Sequence, residues 1–292
     1  MRFAFIDAEK VGYPVKRLCE VLEVSESGFH AWRKRSPSKR ATENERITTH
    51  IRAGFKRSRE TYGSPRLTDE LRDGGVKAGR HRIARLMREA GIRAKKPRRF
   101  KKTTNSRHDL PRAPNLVERR FDELATAPNK LWVSDLTYIW TWQGWVYLCV
   151  FLDVYSRKVV GWTLGETMEA HMVTDALRMA IARRSPMPGL IAHSDQGSQY
   201  ASGLYRTMID DNRFLRSMSR KGDCWDNAVA ESFFATIKGD LIDRQSWATR
   251  AQVEAAVGEW IEVFYNGQRR HSALGNVSPV DYERLTREAQ AA

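Results

Sequence analysis

The N-terminal hundred residues show apolar positions at helical spacing, separated by short polar breaks. Residues 15–22 predict one short helix, and residues 26–35 predict a second one that begins after a serine and ends in basic residues. A helix, a short turn and a basic helix form a helix-turn-helix pattern. Arg33 and Lys34 would then lie on the exposed side of the second helix, where they could contact DNA.

A second helical unit follows a polar stretch. Residues 43–58 predict one helix, and two shorter helices follow on either side of Gly74–Gly75, which ends the first of them. Arginine dominates the solvent-facing positions of the last helix, with Arg80, Arg82 and Arg85 as the candidate DNA contacts. This unit is therefore a second, more strongly basic candidate for a DNA-binding hairpin.

From residue 129 the pattern changes from helical spacing to runs of β-branched and aromatic residues. Three such runs, separated by short turns, predict an antiparallel meander. Helices then alternate with two further short strands, and a long helix covers about residues 249–266. Consecutive strands followed by alternating helices and strands predict an α/β domain with a sheet of mixed direction. The expected strand runs are LWVSDLTYIW, GWVYLCVFLDVYS, RKVVGWTLGE, LIAHSD and FLRSMS.

The chain therefore divides into an all-α DNA-binding region at residues 1–100, a linker at residues 101–128 and an α/β core at residues 129–292. Charge supports this division: residues 1–112 contain 30 Lys and Arg against 13 Asp and Glu, whereas the rest contains 20 against 22. Lysine and arginine gain affinity for DNA by displacing phosphate counterions. A basic module joined to a near-neutral one is what a DNA-directed enzyme requires, although a basic tail that aids solubility has the same composition.

The rest of the composition indicates the cellular compartment of the protein and whether a membrane is among its partners. The sequence has no run of about 18 apolar residues and no secretory signal at its start, so no membrane partner is expected. Cys19, Cys149 and Cys224 are widely separated, which excludes a disulfide framework and a zinc cluster of the usual spacing. We expect a cytoplasmic protein.

Three acidic residues occur in unusual contexts. Asp135 interrupts the hydrophobic run WVSDLTYI, and Asp195 ends the buried strand LIAHSD before a turn that Gly197 allows to bend sharply. Glu231 lies at the edge of the apolar stripe of an amphipathic helix, beside Lys238 two turns later. A partly desolvated carboxylate at such a position needs a cation or a hydrogen-bond donor.

Three carboxylates from two strands and one helix match the ligand set of a two-metal phosphoryl-transfer site. Such a site holds two Mg²⁺ ions with hard oxygen ligands, and Mn²⁺ can substitute. Each acid taken singly is equally compatible with a helix cap or a surface position. Together they predict a metal-dependent enzyme that acts on phosphodiesters.

The same residues carry a close family resemblance over nearly the whole chain. It is carried, in order, by the motifs YGSPRL, RHRIARLMREAGIRA, WVSDLTYI, HSDQGSQY, WDNAVAESFFATIKGDL and FYNGQRRHSALGNVSP. The sequence resembles the retroviral-integrase-type transposases of bacterial insertion sequences. More narrowly, it is similar to the second-reading-frame product of elements that make a fused transposase by frameshifting.

The resemblance implies a ribonuclease-H-like catalytic core with Asp135, Asp195 and Glu231 as its DDE triad. It also implies that Lys238 contacts DNA near the reacting phosphate, and that the protein cuts and joins DNA at the ends of an insertion element. Implied partners are element-end and target DNA, further copies of the chain on that DNA, and an upstream-frame product or fusion. Association with the bacterial nucleoid follows from DNA binding.

Other polar residues have two interpretations each. His193 shares a strand face with Asp195 and is either a support for the acid or a packed histidine. Trp225, Asp226 and Asn227 are expected to shape the start of the Glu231 helix, with Asn227 as a candidate cap. Asp153 is expected to have a structural hydrogen-bonding role.

The C-terminal motif holds a cluster of polar residues that either contact DNA or lock the last helix. They are Tyr265, Asn266, Arg269, Arg270 and His271.

Two further functions compete with transposition at this point. A nuclease of the same fold class would release cut ends without joining them, and a DNA-binding regulator would use the same helical hairpins without chemistry. The intact set of three acids disfavours the regulator, because a protein that only binds DNA needs no metal ligands.

Overall fold

The computed structural model of the chain describes residues 1–94, 112–220 and 227–291. The predicted shaping residues Trp225 and Asp226, and residues 101–111 of the predicted linker, lie outside the described residues. The N-terminal region is entirely helical within its described part. Its six helices are α1 (Arg2–Glu9), α2 (Val15–Val21), α3 (Glu26–Lys34), α4 (Lys39–Arg57), α5 (Ser64–Asp73) and α6 (Arg80–Glu89).

The first three helices form a small unit around one buried cluster. Ile6, Cys19 and Phe29 pack together, one from each helix. Ser25 caps α3 as predicted, because its Oγ accepts the Gly28 backbone N–H at 3.1 Å. Helix α1 was not predicted, because its apolar residues, Phe3, Ala4, Phe5, Ile6 and Ala8, are mostly consecutive and show no clear helical spacing over eight residues.

The next three helices form a second unit with its own apolar centre. Ile51, Leu67, Ile83 and Leu86 are among its buried residues. Gly75 follows α5 with a φ of +80°, a left-handed conformation that favours glycine and ends the helix. The three predicted helices and the glycine stop between them are confirmed.

The described residues before the sheet lie against the core. Val117 is fully buried in the largest apolar cluster, and the Leu116 N–H donates to Ser217 Oγ at 2.9 Å. A single turn, α7 (Phe121–Leu124), then leads to the first strand.

A five-stranded sheet forms the centre of the second domain, in the order β3-β2-β1-β4-β5. β1 to β3 are antiparallel neighbours, whereas β4 pairs in parallel with both β1 and β5. The predicted meander and mixed sheet are thus confirmed. The strands are β1 (Leu131–Thr141), β2 (Gly144–Asp153), β3 (Val159–Gly165), β4 (Ile191–Ser194) and β5 (Leu215–Met218).

Helices cover both faces of this sheet. On one face, α8 and α9 bury a cluster that includes Trp132, Phe151 and Leu177. On the other, α10, α11 and the π-helical segment Trp260–Tyr265 bury a cluster that includes Val133 and Phe233. The helices are α8 (Ala170–Arg184), α9 (Gly203–Asp211), α10 (Ala228–Asp240), α11 (Arg250–Glu259) and α12 (Pro279–Ala291).

Polar contacts hold the last helix, α12, against the sheet. Glu283 accepts hydrogen bonds from Arg184 and from the Ser156 hydroxyl, both at 2.8 Å. Asp153 accepts the backbone N–H groups of Asn129 at 2.7 Å and Tyr155 at 3.0 Å, which confirms its structural role. Burial raises the pKa of Asp153 to about 6, although these hydrogen bonds and Arg184 favour its charged form.

The second helical unit docks on the C-terminal end of the core. Arg59 pairs with Glu259, and the Asn276 Nδ2 donates to Asp69 Oδ2 at 2.8 Å. The Tyr62 hydroxyl accepts the Arg270 backbone N–H at 2.6 Å.

Among the described helices, none is long and apolar enough to cross a membrane.

Gly161 lets α8 approach β3 closely. A β-carbon at this position would lie 2.2 Å from the Ala176 carbonyl oxygen and 2.8 Å from the Ala180 β-carbon. We expect Gly161→Ala to lower the free energy of unfolding by about 3 kcal/mol, measured by urea denaturation, because α8 must move away from the sheet.

The matched control for this change is Gly203→Ala, at the first residue of α9, where an added β-carbon meets no atom within 4 Å. Its effect should stay within about 1 kcal/mol. Equal stability of the two variants would contradict the close-packing argument.

Candidate active site

Two of the three predicted acids are brought together by the parallel pairing of β1 and β4. The register matches Ser134 with Ser194, so Asp135 and Asp195 are the next residues on two adjacent strands. Adjacent strands lie about 4.8 Å apart, and residues in register point to the same face of the sheet. Since β4 ends at Ser194, the two carboxylates lie where the sheet opens beyond a strand end.

The turn after β4 fixes the orientation of Asp195. Its Oδ1 accepts the Gly197 backbone N–H at 2.9 Å. A β-carbon at Gly197 would lie 3.0 Å from that same oxygen, so the glycine allows the close approach. The following residues are anchored by Tyr200, whose hydroxyl lies 2.7 Å from the Ser134 Oγ inside the core.

The third acid comes from α10, which packs its apolar stripe on β1 and the C-terminal helices as predicted. Ala230, Phe233, Phe234 and Ile237 are all buried. Glu231 lies on the flank of that stripe, in the first turn. The sequence interpretation of this helix is confirmed.

Asn227 joins the start of α10 to β1. It occupies the N-cap position, but its side chain makes no capping hydrogen bond. Its Nδ2 instead donates to the Ser134 carbonyl oxygen at 3.3 Å, one residue before Asp135. Because Glu231 follows Asn227 by four residues, both side chains lie on the same face of the helix. The predicted cap is therefore wrong, and the side chain links the start of the Glu231 helix to β1 instead.

Electrostatics show that the three carboxylates interact. Burial, followed by repulsion from Asp195, raises the pKa of Asp135 well above its usual value, and Glu231 adds to the repulsion. The Leu136 N–H, at 2.7 Å from Asp135 Oδ1, and the Lys238 charge act in the opposite direction. A cluster of like charges of this kind is stabilised by a bound cation.

Lys238 extends this surface along α10. Its ammonium lies 5.7 Å from the centre of the Tyr138 ring, three residues after Asp135 on β1. Burial lowers the pKa of Lys238, while Asp243 and Asp135 favour its charged form. Sequence reasoning did not identify Tyr138; its spacing from Asp135 on a predicted strand was the only available signal.

The predicted DNA contacts of the helical region differ in how they are engaged. Arg33, Lys34 and Arg80 are exposed. Arg82 donates to Asn44 Oδ1 at 2.8 Å and pairs with Glu43 at 2.8 Å, so it also links α6 to α4. Arg85 pairs with Glu89 at 2.8 Å along α6.

His193 is buried between the strands rather than exposed at the site. Its Nδ1 lies 2.8 Å from the Ser217 Oγ on β5. This contact accounts for the histidine as a packed residue, and any support it gives to Asp195 stays a prediction.

The three carboxylates are suitable ligands for divalent metal ions, although they do not form a complete metal-binding site. Carboxylate oxygens are the preferred ligands of Mg²⁺, and the mutual repulsion at Asp135 is what a cation would relieve. Within the described residues, no group of three His, Cys, Asp or Glu side chains lies close enough to hold an ion.

Comparison with known proteins identifies the family. The Integrase core domain family matches residues 125–224 and 213–279, and the HTH-like domain family matches residues 42–100. The chain is 39% identical to transposase InsF for insertion sequence IS3A of Escherichia coli over 285 residues, which is 97% of this chain and 98% of that protein. The chain belongs to the integrase-type transposases of insertion sequences.

Two further similarities are weaker in what they say about function. The transposase is 44% identical over 265 residues to an uncharacterized 31 kDa protein of insertion element IS600 of Shigella sonnei, covering 91% of this chain and 97% of that one. The HTLV-2 integrase catalytic core domain, solved with magnesium, gives a TM-score of 0.43 at 16% identity and covers 55% of this chain and 99% of that chain.

Family membership shows what the transposase does. It is a DDE-type polynucleotidyl transferase that acts in DNA transposition, with a helical HTH-like region before an integrase catalytic core. The fold class and the activity predicted from the sequence are confirmed, and the nuclease and regulator alternatives are set aside.

Asn227→Ala tests whether the link between α10 and β1 positions Glu231. Loss of one hydrogen bond should cost about 1 kcal/mol of stability, while DNA cleavage falls at least about tenfold because Glu231 is no longer held. Urea denaturation and cleavage of a labelled oligonucleotide measure the two effects.

A suitable control is Asn212→Ala at the end of α9, where Nδ2 also donates to a backbone carbonyl oxygen, that of Met208, at 2.8 Å. This variant should lose similar stability and keep its cleavage rate. Equal cleavage by the two variants would remove the positioning role of Asn227.

Proposed function

We propose that this transposase cuts and joins DNA at the ends of its insertion element with Asp135, Asp195 and Glu231 as one catalytic triad. The parallel register that makes Asp135 and Asp195 neighbours is the main support for the assignment. The repulsion that Glu231 exerts on Asp135 supports the inclusion of the third acid in the same site.

Each acid has a distinct structural basis for its role. Asp135 lies on the central strand of the sheet, which is paired on both sides, and would suit a ligand shared by two ions. The Gly197 N–H orients Asp195 from a turn, and Asn227 orients Glu231 from a helix. Preorganised ligands of this kind reduce the reorganisation needed during reaction.

We expect Mg²⁺ as the cofactor, with Mn²⁺ able to substitute and two ions held by the triad. When bound, such ions activate the attacking oxygen and stabilise the leaving oxygen of an in-line phosphoryl transfer. Lys238 would hold a DNA phosphate beside them, since its ammonium is half-buried and the nearby charge of Asp135 favours its protonated form. Arg33, Lys34, Arg80, Arg82 and Arg85 would contribute affinity through phosphate contacts.

The assembly in which the transposase works is also a proposal. Cutting two element ends and joining them requires at least two active sites, so we expect several copies of the chain on DNA. An upstream-frame product, separate or fused, would supply further DNA-binding and multimerising segments. The strongly basic charge of the N-terminal region supports association with the nucleoid.

Glu231→Gln separates the catalytic role of this helix from DNA binding. In a labelled-oligonucleotide assay with element-end DNA and Mg²⁺ or Mn²⁺, wild type should give cleaved and joined products. The variant should lose both by at least about 10³-fold, because a neutral amide is a poor metal ligand, and should bind DNA normally. Retained cleavage would refute the triad, and an inactive wild type would be retested with the upstream-frame product.

Asp135→Asn tests the metal site without an activity assay. In EDTA the variant should melt at a higher temperature than wild type, because one of three like charges is gone. Mg²⁺ at ten times its dissociation constant should stabilise wild type by about 1.4 kcal/mol and the variant much less.

For the melting experiment, Asp211→Asn at the exposed end of α9 is the charge-matched control and should keep the wild-type response to Mg²⁺. An equal Mg²⁺ shift in the Asp135 and Asp211 variants would place the ion elsewhere.

A further inference from the structure

A cavity of about 210 Å³ lies on the side of α10 that faces away from the triad. Ser232 and Thr236 line it, whereas Glu231 and Lys238 are not among its lining residues. A step of about 100° per residue places these two pairs roughly 130° apart around the helix, a little over a third of a turn. The cavity is therefore separate from the candidate active site, although the two share one helix.

Three arginines from three different parts of the chain line this cavity. Arg66 comes from α5 of the second helical unit, Arg157 from the turn between β2 and β3, and Arg269 from the segment after the π-helical turn. Arg269 is paired with Asp240 at 2.9 Å. Arginines from both the helical unit and the catalytic core therefore line the cavity.

Two of these positive charges are not balanced. Arg66 lies over the Tyr62 ring, with 5.6 Å between its guanidinium carbon and the ring centre. Neither Arg66 nor Arg157 forms an ion pair or a side-chain hydrogen bond with any residue in the described ranges. After subtraction of Asp240, a net charge of about +2 therefore remains around a space that is open to a small group.

His271 indicates a further unmet contact in the same cavity. Its Nε2 is buried and has no hydrogen-bond partner among the described residues. Burial, with repulsion from Arg269, Arg66 and Arg157, lowers the pKa of His271 to about 3. The same burial and the Arg269 charge lower the pKa of Arg66. The surroundings therefore disfavour more positive charge, and an anion would relieve that repulsion.

We propose that this cavity binds a backbone phosphate of the DNA on which the transposase acts. The cavity has room for a tetrahedral phosphate, and guanidinium groups bind phosphate oxygens through paired hydrogen bonds. The inference rests on the action of the transposase on DNA, but it is independent of the roles assigned to the three acids.

A phosphate at this position would do more than add affinity. It would offset the repulsion between Arg66 and Arg269 and so strengthen the docking of the second helical unit on the core. That docking already uses the contacts of Tyr62 with Arg270 and of Asp69 with Asn276. DNA bound by the helical unit would thereby be placed along α10, which carries Glu231.

The C-terminal motif is resolved by this arrangement into two roles. Asn266 locks the fold, because its side chain bonds both the N–H and the carbonyl of Val159 at 2.9 Å. Arg270 pairs with Asp73 of the helical unit. Tyr265, Arg269 and His271 line the cavity, and Arg269 brings its positive charge to the proposed phosphate.

The test is a DNA-binding measurement in EDTA, where no cleavage occurs and the triad has no influence on the result. Fluorescence anisotropy with a labelled 30-base-pair duplex would be recorded over a range of NaCl concentrations for the full chain. Arg157→Gln should weaken binding about tenfold at low salt. It should also reduce the slope of log K against log salt by about 0.9, the value for one lost phosphate contact.

The matched control is Arg213→Gln, which removes the same charge from a residue that shares the left-handed backbone of Arg157. The φ angles are 54° and 59°. This control should keep both affinity and slope. A double variant, Arg66→Gln with Arg157→Gln, should lose one phosphate contact in total rather than two, because both arginines serve the same group.

Arg66→Lys guards against loss of folding, since it keeps the charge and should retain most of the salt slope. Thermal melts of every variant would verify that the helical unit remains folded. An unchanged affinity and slope in the folded Arg157 variant would overturn the proposal.

A second arm distinguishes DNA from a free anion. Inorganic phosphate and pyrophosphate would be titrated calorimetrically into wild type and into the Arg157 variant. Competition of these anions with DNA, lost in the variant, would support the proposal. Anion binding that depends on Arg157 while DNA affinity and slope stay unchanged would overturn the DNA assignment and leave a small-anion site.

Discussion

The parallel pairing of β1 with β4 is the constraint on which the candidate site depends. It sets Asp135 beside Asp195 at the point where β4 ends, on two neighbouring backbones whose usual spacing is about 4.8 Å. Repulsion between the two carboxylates raises the pKa of Asp135. The apolar clusters on both faces of the sheet hold the strands in register despite this repulsion.

The helix α10 connects this site to the rest of the molecule. Its apolar stripe is buried, one flank presents Glu231 and Lys238, and the other side faces the cavity of Arg66, Arg157 and Arg269. Asn227 fixes the rotation of the helix by its bond to β1. Because a rigid helix transmits position without deformation, DNA held on one side would be placed relative to the acids on the other.

Charge is distributed unevenly between the helical region and the core. The helical region carries the positive charge, whereas the core is nearly neutral and concentrates its acids at one point. Contacts such as Arg59 with Glu259 and Arg270 with Asp73 join the two regions, so acidic groups on one pair with basic groups on the other. The transposase thus has one surface suited to DNA phosphates and one cluster suited to metal ions.

The sequence by itself determined the elements, since hydrophobic period, caps and turn glycines are local signals. The strands, the stripe of α10, the glycine stop after α5 and the three acids were all predicted, and α1 was missed because its apolar residues show no clear helical spacing over so short a segment. Only the tertiary structure decided that Asn227 braces β1 instead of capping α10 and that Arg82 links two helices. It also decided that Arg66 meets Arg157 and Arg269, because contacts between residues some 90 and 200 positions apart depend on how the whole chain packs and leave no periodic trace in the sequence.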